Sequence, residues 1–210
     1  PTSGSIERRT DDGWHEITAD EPYDTANRGI HRSYQVTNIF PQLSVFKNVR
    51  VAVQAPTNHS WHIWRNSDDL EEYSEEAYRI LDRTGLAEKA HTVAENLSHG
   101  EKRQLEIAIA LAGDPDILLL DEPTAGISSE SLDEIITLIE NISTDHAILL
   151  VEHNMNLVMS VSDRLVVLNQ GAVIADGEPD EVHGDPTVRK AYLGGYTPGQ
   201  FEEGITEERV

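Results

Sequence analysis

Cysteine is absent from the 210 residues, which excludes disulfides and thiolate metal sites and fits a reducing cytoplasm. Lysine is scarce: four of the 16 basic residues. No apolar run approaches the roughly 18 residues that span a bilayer. No basic-then-apolar leader opens the chain, which starts at Pro1 rather than Met. Internal repeats are missing. So is every Gly-Lys dipeptide, and with it any G-x-x-x-x-G-K-[ST] segment.

What is abundant is acid. Asp and Glu number 38 against 16 Lys and Arg, a net charge of −22. Such a surface repels nucleic acid, whose binding relies on Lys and Arg neutralising phosphates. The carboxylates form either a solvated coat suited to high salt or a face for a basic partner. They recur along the whole chain, at Asp68-Asp69, Glu71-Glu72, Glu75-Glu76, Asp176 to Glu181, Glu202-Glu203 and Glu207-Glu208. That spread favours the coat, and with it a halophilic source, because salt screens self-repulsion.

Residues 1–29 are polar and turn-rich without a strong period, and read as the edge of a domain. Ile30 to Gln35 is a strand candidate. Residues 45–94 read as mostly helical, with Leu70, Tyr73, Ala77, Ile80, Leu81 and Thr84 near one face. From residue 98 helices and short strands alternate. Lys102 to Ala112 is apolar around much of its circumference, the pattern of a buried helix. Ile117–Leu120 and Ile148–Val151 are continuous aliphatic runs, as in parallel strands covered on both faces. Leu132, Ile135, Ile136, Ile139 and Ile142 between them supply an amphipathic crossover helix. Asn169-Gln170-Gly171 between Arg164–Leu168 and Ala172–Ala175 signals a hairpin. The tail after Tyr196 is acidic, with the composition of a mobile segment.

Both aliphatic strands end in polar pairs, Asp121-Glu122 and Glu152-His153. Ligands bind at that edge of open parallel sheets. An aspartate there can hold Mg²⁺ through water, and an adjacent glutamate can deprotonate an attacking water. A histidine beside them can hydrogen-bond a γ-phosphate. The plainer reading of an acid after a strand is a turn cap, with Pro123 stopping the strand. Ser98-His99-Gly100-Glu101 likewise has two readings. Serine followed three residues later by glutamate is a capping box, and the same helix start offers N–H groups to an anion.

Order and spacing together are more specific. LSHGE at 97–101, ILLLDEPTAG at 117–126 and LLVEHN at 149–154 resemble the nucleotide-binding subunits of ABC transporters. LSHGE is similar to the LSGGQ signature, with His99 for glycine and Glu101 for glutamine. The resemblance implies an α/β fold, a RecA-like parallel sheet with an inserted helical subdomain. It implies a Walker B strand with Asp121 on Mg²⁺ and Glu122 as catalytic base, and His153 as switch histidine. Gln35 of Ser33-Tyr34-Gln35 then contacts Mg²⁺ and the attacking water. Ser128 stands where many members carry aspartate in the D-loop.

The segment RSYQVTNIFPQLSVFKNVRVAVQA and the ending GEPDEVHGDPTVRKAYLG narrow the resemblance to branched-chain amino-acid importers, over about residues 28 to 195. The expected layout is a core remnant at 1–44, a helical subdomain at 45–113, core at 114–195 and an acidic tail at 196–210. The resemblance implies ATP hydrolysis at the cytoplasmic face of the membrane, in a dimer with a second ATPase subunit. Ser98, Gly100 and Glu101 would then meet the partner's ATP, while Gln35, Asp121, Glu122 and His153 act in cis. The resemblance further implies permease subunits as direct partners and an extracellular or periplasmic solute-binding protein as an indirect one, with no nucleic acid expected. The phosphate loop is expected upstream of Pro1, so that the chain reads as amino-terminally truncated and inactive alone. Competing readings are a soluble ABC ATPase of ribosomes or DNA, and a catalytically silent fragment.

Overall fold

In the computed structural model, residues 3–33, 39–55 and 67–192 are described, without the side chains of 67–70, 129 and 130. Gln35 and the tail after Tyr196 lie outside them. Ile117–Asp121 forms β4, the middle strand of a parallel sheet ordered β3-β4-β5, with β3 at Ile30–Ser33 and β5 at Ala147–Val151. Ile30 pairs with Ile117, and Ile117 with Ala147. This register places the carboxyl ends of β4 and β5 side by side, Asp121 opposite Val151.

The chain divides into two compact units, 1–153 and 154–210. The first opens on a hairpin that the turn-rich start conceals. β1 (Glu7–Thr10) and β2 (Gly13–Glu16) pair antiparallel around Asp11-Asp12, with Gly13 at φ 125°, where only glycine sits without strain. A short helix, α1 (Pro22–Asn27), follows, with Pro at its first turn. The expected strand from Ile30 stops at Ser33 among the described residues.

The helical region contains α2 (Val45–Gln54) and α3 (Ser67–Arg83), then two single 3₁₀ turns at 87–89 and 94–96. Ser44 caps α2, accepting from the Lys47 N–H at 3.2 Å. Val45, Val49 and Val53 are buried along one face. Asn48, also buried, ties down the preceding loop by accepting from the Phe40 N–H at 2.7 Å and donating to the Phe40 carbonyl at 3.1 Å. On α3 the buried residues Ala77, Ile80, Leu81 and Thr84 keep the expected helical spacing. Gly85 at φ 73° ends that helix, and Leu86 N–H donates back to the Leu81 carbonyl.

Helix α4 (His99–Leu111) buries Leu105, Ile107, Ala108 and Leu111, and packs against α2, α3, β3 and α5 (Ser129–Ser143). The crossover helix α5 buries Ile135, Leu138, Ile139 and Ile142. One expectation fails. Leu149 and Val151 of β5 are 60% and 56% exposed, so this strand is not covered on both faces among the described residues. An aliphatic run specifies a strand and says nothing of what lies on each side of it.

The second unit holds α6 (Met155–Val161), β6 (Leu165–Asn169), β7 (Ala172–Gly177), α7 (Pro179–Gly184) and α8 (Pro186–Tyr192). The hairpin turn is where Asn169-Gln170-Gly171 places it. Gln170 and Gly171 both have positive φ, 49° and 81°, as a type I′ turn requires. Arg164 closes the hairpin's open end with two bonds of 2.7 Å to the Asp176 carboxylate.

Candidate active site at the carboxyl ends of β4 and β5

A left-handed residue follows β4 directly. Glu122 has φ 45°, a conformation that costs a non-glycine residue on the order of 1 kcal/mol and concentrates at functional sites. Its N–H still donates to the Val151 carbonyl at 2.8 Å, so the sheet holds the strained residue in place. Glu122 Oε1 lies 3.7 Å from His153 Nδ1, across the two strand ends. The His153 side chain is 73% exposed and that of Glu122 39%. Both are therefore open to a ligand arriving from solvent.

Asp121 is gripped at two points. Its Oδ2 accepts from Arg32 Nη2 of β3 at 2.7 Å. Its carbonyl accepts from Arg103 Nη2 of α4, also at 2.7 Å. Arg103 is buried and pairs with Glu106 through Nη1 at 2.7 Å. Through its two terminal nitrogens this guanidinium ties the strand end to the helix that Ser98 opens.

Glu152 completes the edge. Its carboxylate is wholly buried. It accepts the Thr124 N–H at 2.9 Å, the Thr124 hydroxyl, and the His153 N–H at 2.9 Å. A buried carboxylate is tolerated when donors converge on it. Here they come from both loops, so the loop after β4 and the loop after β5 are locked together.

Ser98 forms the capping box that its spacing predicts. Its hydroxyl accepts the Glu101 N–H at 3.2 Å, and Glu101 Oε2 accepts the Ser98 N–H at 2.7 Å. That backbone bond, helped by Lys89 Nζ at 3.0 Å, holds the Glu101 carboxyl below its ordinary range. Gly100 is buried against α5. A Cβ there would lie 2.9 Å from Ser131 Oγ and 3.0 Å from Ser131 Cβ, so glycine permits this close approach.

Asp121, Glu122 and His153 thus share one edge, while Ser98, Gly100 and Glu101 form the start of α4. Arg103 is the link between the two groups. Among the described residues no three His, Asp or Glu side chains cluster as a metal cage. A single carboxylate at the strand end fits Mg²⁺, which keeps its waters and uses one or two carboxylates beside substrate phosphates. Sequence reasoning missed Arg32, Arg103, Thr124 and the buried role of Glu152. A cation within a mostly apolar helix was the available signal for Arg103.

Residues 1–125 match the ABC transporter family, and residues 172–196 match the branched-chain amino acid ATP-binding cassette transporter family. The chain is 37% identical over 203 residues to the high-affinity branched-chain amino acid transport ATP-binding protein BraF of Pseudomonas aeruginosa, covering 92% of this chain and 77% of BraF. It is 38% identical over 176 residues to LivG of Escherichia coli K12, the protein described in the same words, covering 80% and 69%. Among solved structures, the ADP conformation of MJ1267, an ATP-binding cassette of an ABC transporter, superposes with a TM-score of 0.70 at 27% identity. It covers 86% of this chain and 74% of that one.

Proposed function

The chain belongs to the ABC transporter family, and on that premise we propose that it is the ATP-binding and ATP-hydrolysing subunit of an importer for branched-chain amino acids. The observation that carries this is the edge of β4 and β5. Glu122, held in a strained turn, faces His153 at 3.7 Å beside the Asp121 strand end. Similarity to BraF and LivG supports the substrate class.

In this reading Glu122 takes a proton from the water that attacks the γ-phosphate. His153 donates a hydrogen bond to that phosphate, and its exposure leaves room for it. Asp121, with Gln35, would hold Mg²⁺, which neutralises charge on the phosphates when bound. Ser98, Gly100 and Glu101 open α4 with a helix N-terminus that suits an anion on a second subunit. The capping box takes up the N–H groups of Ser98 and Glu101, so it is the N–H groups of His99 and Gly100 in this turn that would be offered.

Residues 45–113 would form the signature-bearing subdomain and 114–195 the core. The partners are permease subunits and a second ATPase subunit, with a solute-binding protein acting through the permease. The working location is the cytoplasmic face of a membrane. No helix among the described residues is long and apolar enough to cross one, so attachment would run through the permease. The acidic surface would be a coat for a high-salt interior. Affinity purification of the tagged chain from detergent-solubilised membranes tests the reading. Recovery of permease subunits supports it; recovery of ribosomes in their place overturns it.

A second reading has a specific basis. The 210 residues hold no Gly-Lys dipeptide, hence no lysine poised in a glycine loop for β- and γ-phosphates. In that reading these residues serve as a non-hydrolysing partner that completes another subunit's ATP site.

A further inference from the structure

The Asp121 carboxylate already has a cation. Arg32 Nη2 sits 2.7 Å from Oδ2, and the pair joins two adjacent parallel strands. We propose that Arg32 is a guard on Asp121: it occupies the carboxylate that a divalent cation would use, and that cation binds only as Arg32 lets go. The inference rests on the reading of Asp121 as the Mg²⁺ residue and adds a positioning residue to it.

Three observations carry it. A guanidinium and a divalent cation on one carboxylate repel each other, and at a half-buried strand end the repulsion is less screened than in bulk water. Asp121 is 24% exposed there. Second, the Arg32 side chain is 52% exposed, so a released guanidinium is received by water without burying a charge. Third, Asp121 does not depend on Arg32 for its place. Arg103 holds its carbonyl and Val151 is paired opposite it, so the carboxylate stays at the strand end when the guard leaves. Until then, Arg32 keeps an unfilled site from presenting bare negative charge in a molecule of net charge −22.

Binding of Mn²⁺ alone, read from the free-ion signal by electron paramagnetic resonance in 1 M KCl, tests the guard. Molar salt suppresses diffuse binding to the acidic surface. The binding of interest is the fraction that Asp121→Asn removes. Arg32→Gln should tighten that fraction by about three-fold or more, because the competing charge is gone. Arg32→Lys keeps the charge and should stay within about two-fold of the unaltered chain. Asp121→Asn added to Arg32→Gln should erase the gain. Circular dichroism spectra superimposable on the parent confirm that each variant is folded. If Arg32→Gln binds equally or more weakly while Asp121→Asn still lowers binding, the guard falls and the role of Asp121 stands. If Asp121→Asn changes nothing in either background, both fall together.

Discussion

Glu152 holds Thr124 from the far side of the sheet edge: its buried carboxylate accepts both the N–H and the hydroxyl of that threonine, 28 residues away in sequence. The consequence is geometric. Thr124 follows Glu122 by two residues and His153 follows Glu152 by one, so fixing the first pair fixes the spacing of the second.

That clamp should be measurable as a coupling. Hydrogen bonds to a charged group contribute about 1.5–3 kcal/mol each, and Glu152 is buried. Glu152→Ala should therefore lower unfolding stability by roughly 3 kcal/mol. A double-mutant cycle of Glu152→Gln with Thr124→Val should give a coupling energy of about 1 kcal/mol or more. Urea denaturation followed by circular dichroism provides both numbers. Additive effects would show that the two loops are not locked.

The capping box at Ser98 predicts a pH signature. The Glu101 carboxyl is held below its ordinary value of 4.5 by the Ser98 N–H and by Lys89. A depressed carboxyl contributes stability that is fully present above the unfolded value and is lost as pH falls through the folded one. The difference in melting temperature between the parent chain and Glu101→Gln should be constant above about pH 5.5 and shrink below 4.5. A difference that grows on acidification would contradict the assignment.

Salt should stabilise the whole molecule. Thirty-eight carboxylates against 16 basic groups repel one another at low ionic strength, and 1 M salt shortens that repulsion to about 3 Å. Melting temperature should rise steadily from low to molar KCl. A flat or falling curve would assign the acidity to a basic partner.

How much of this was legible beforehand follows from distance along the chain. The Ser98 box, the Gln170-Gly171 turn and the crossover helix are set by residues within a few positions of each other, and each formed where its spacing predicts. The strand ends Asp121 and Glu152-His153 were visible because an aliphatic run stops there. The contacts that organise the site were not. Arg32 reaches Asp121 across 89 residues and Arg103 reaches it across 18, and no periodicity encodes such pairs. The β1-β2 hairpin escaped because two four-residue strands of mostly polar residues carry no alternation to read. The exposure of Leu149 and Val151 was hidden for the converse reason: apolar residues look the same on a covered and an open face.

The second reading, in which these 210 residues complete another subunit's ATP site, predicts that their own nucleotide affinity is low. They contain no glycine-lysine loop, and a net charge of −22 offers a nucleotide no attraction. Titration with fluorescent ATP should show no saturable binding in the micromolar range, about 10⁻⁶ M, and no hydrolysis. Tight, Mg²⁺-dependent binding would mean that the phosphates are held by residues other than those named.

The proposal turns on Glu122 as the base of the ATP hydrolysis that drives import, and one measurement meets it directly. Glu122→Gln is introduced at the native gene, and uptake of labelled leucine is followed in cells, with membrane fractions probed for the subunit. Removing a positioned base lowers turnover by roughly 10²–10⁴, so uptake through this system should fall to background while the subunit remains at the membrane. Uptake at the parental rate with the altered subunit in place would contradict the account.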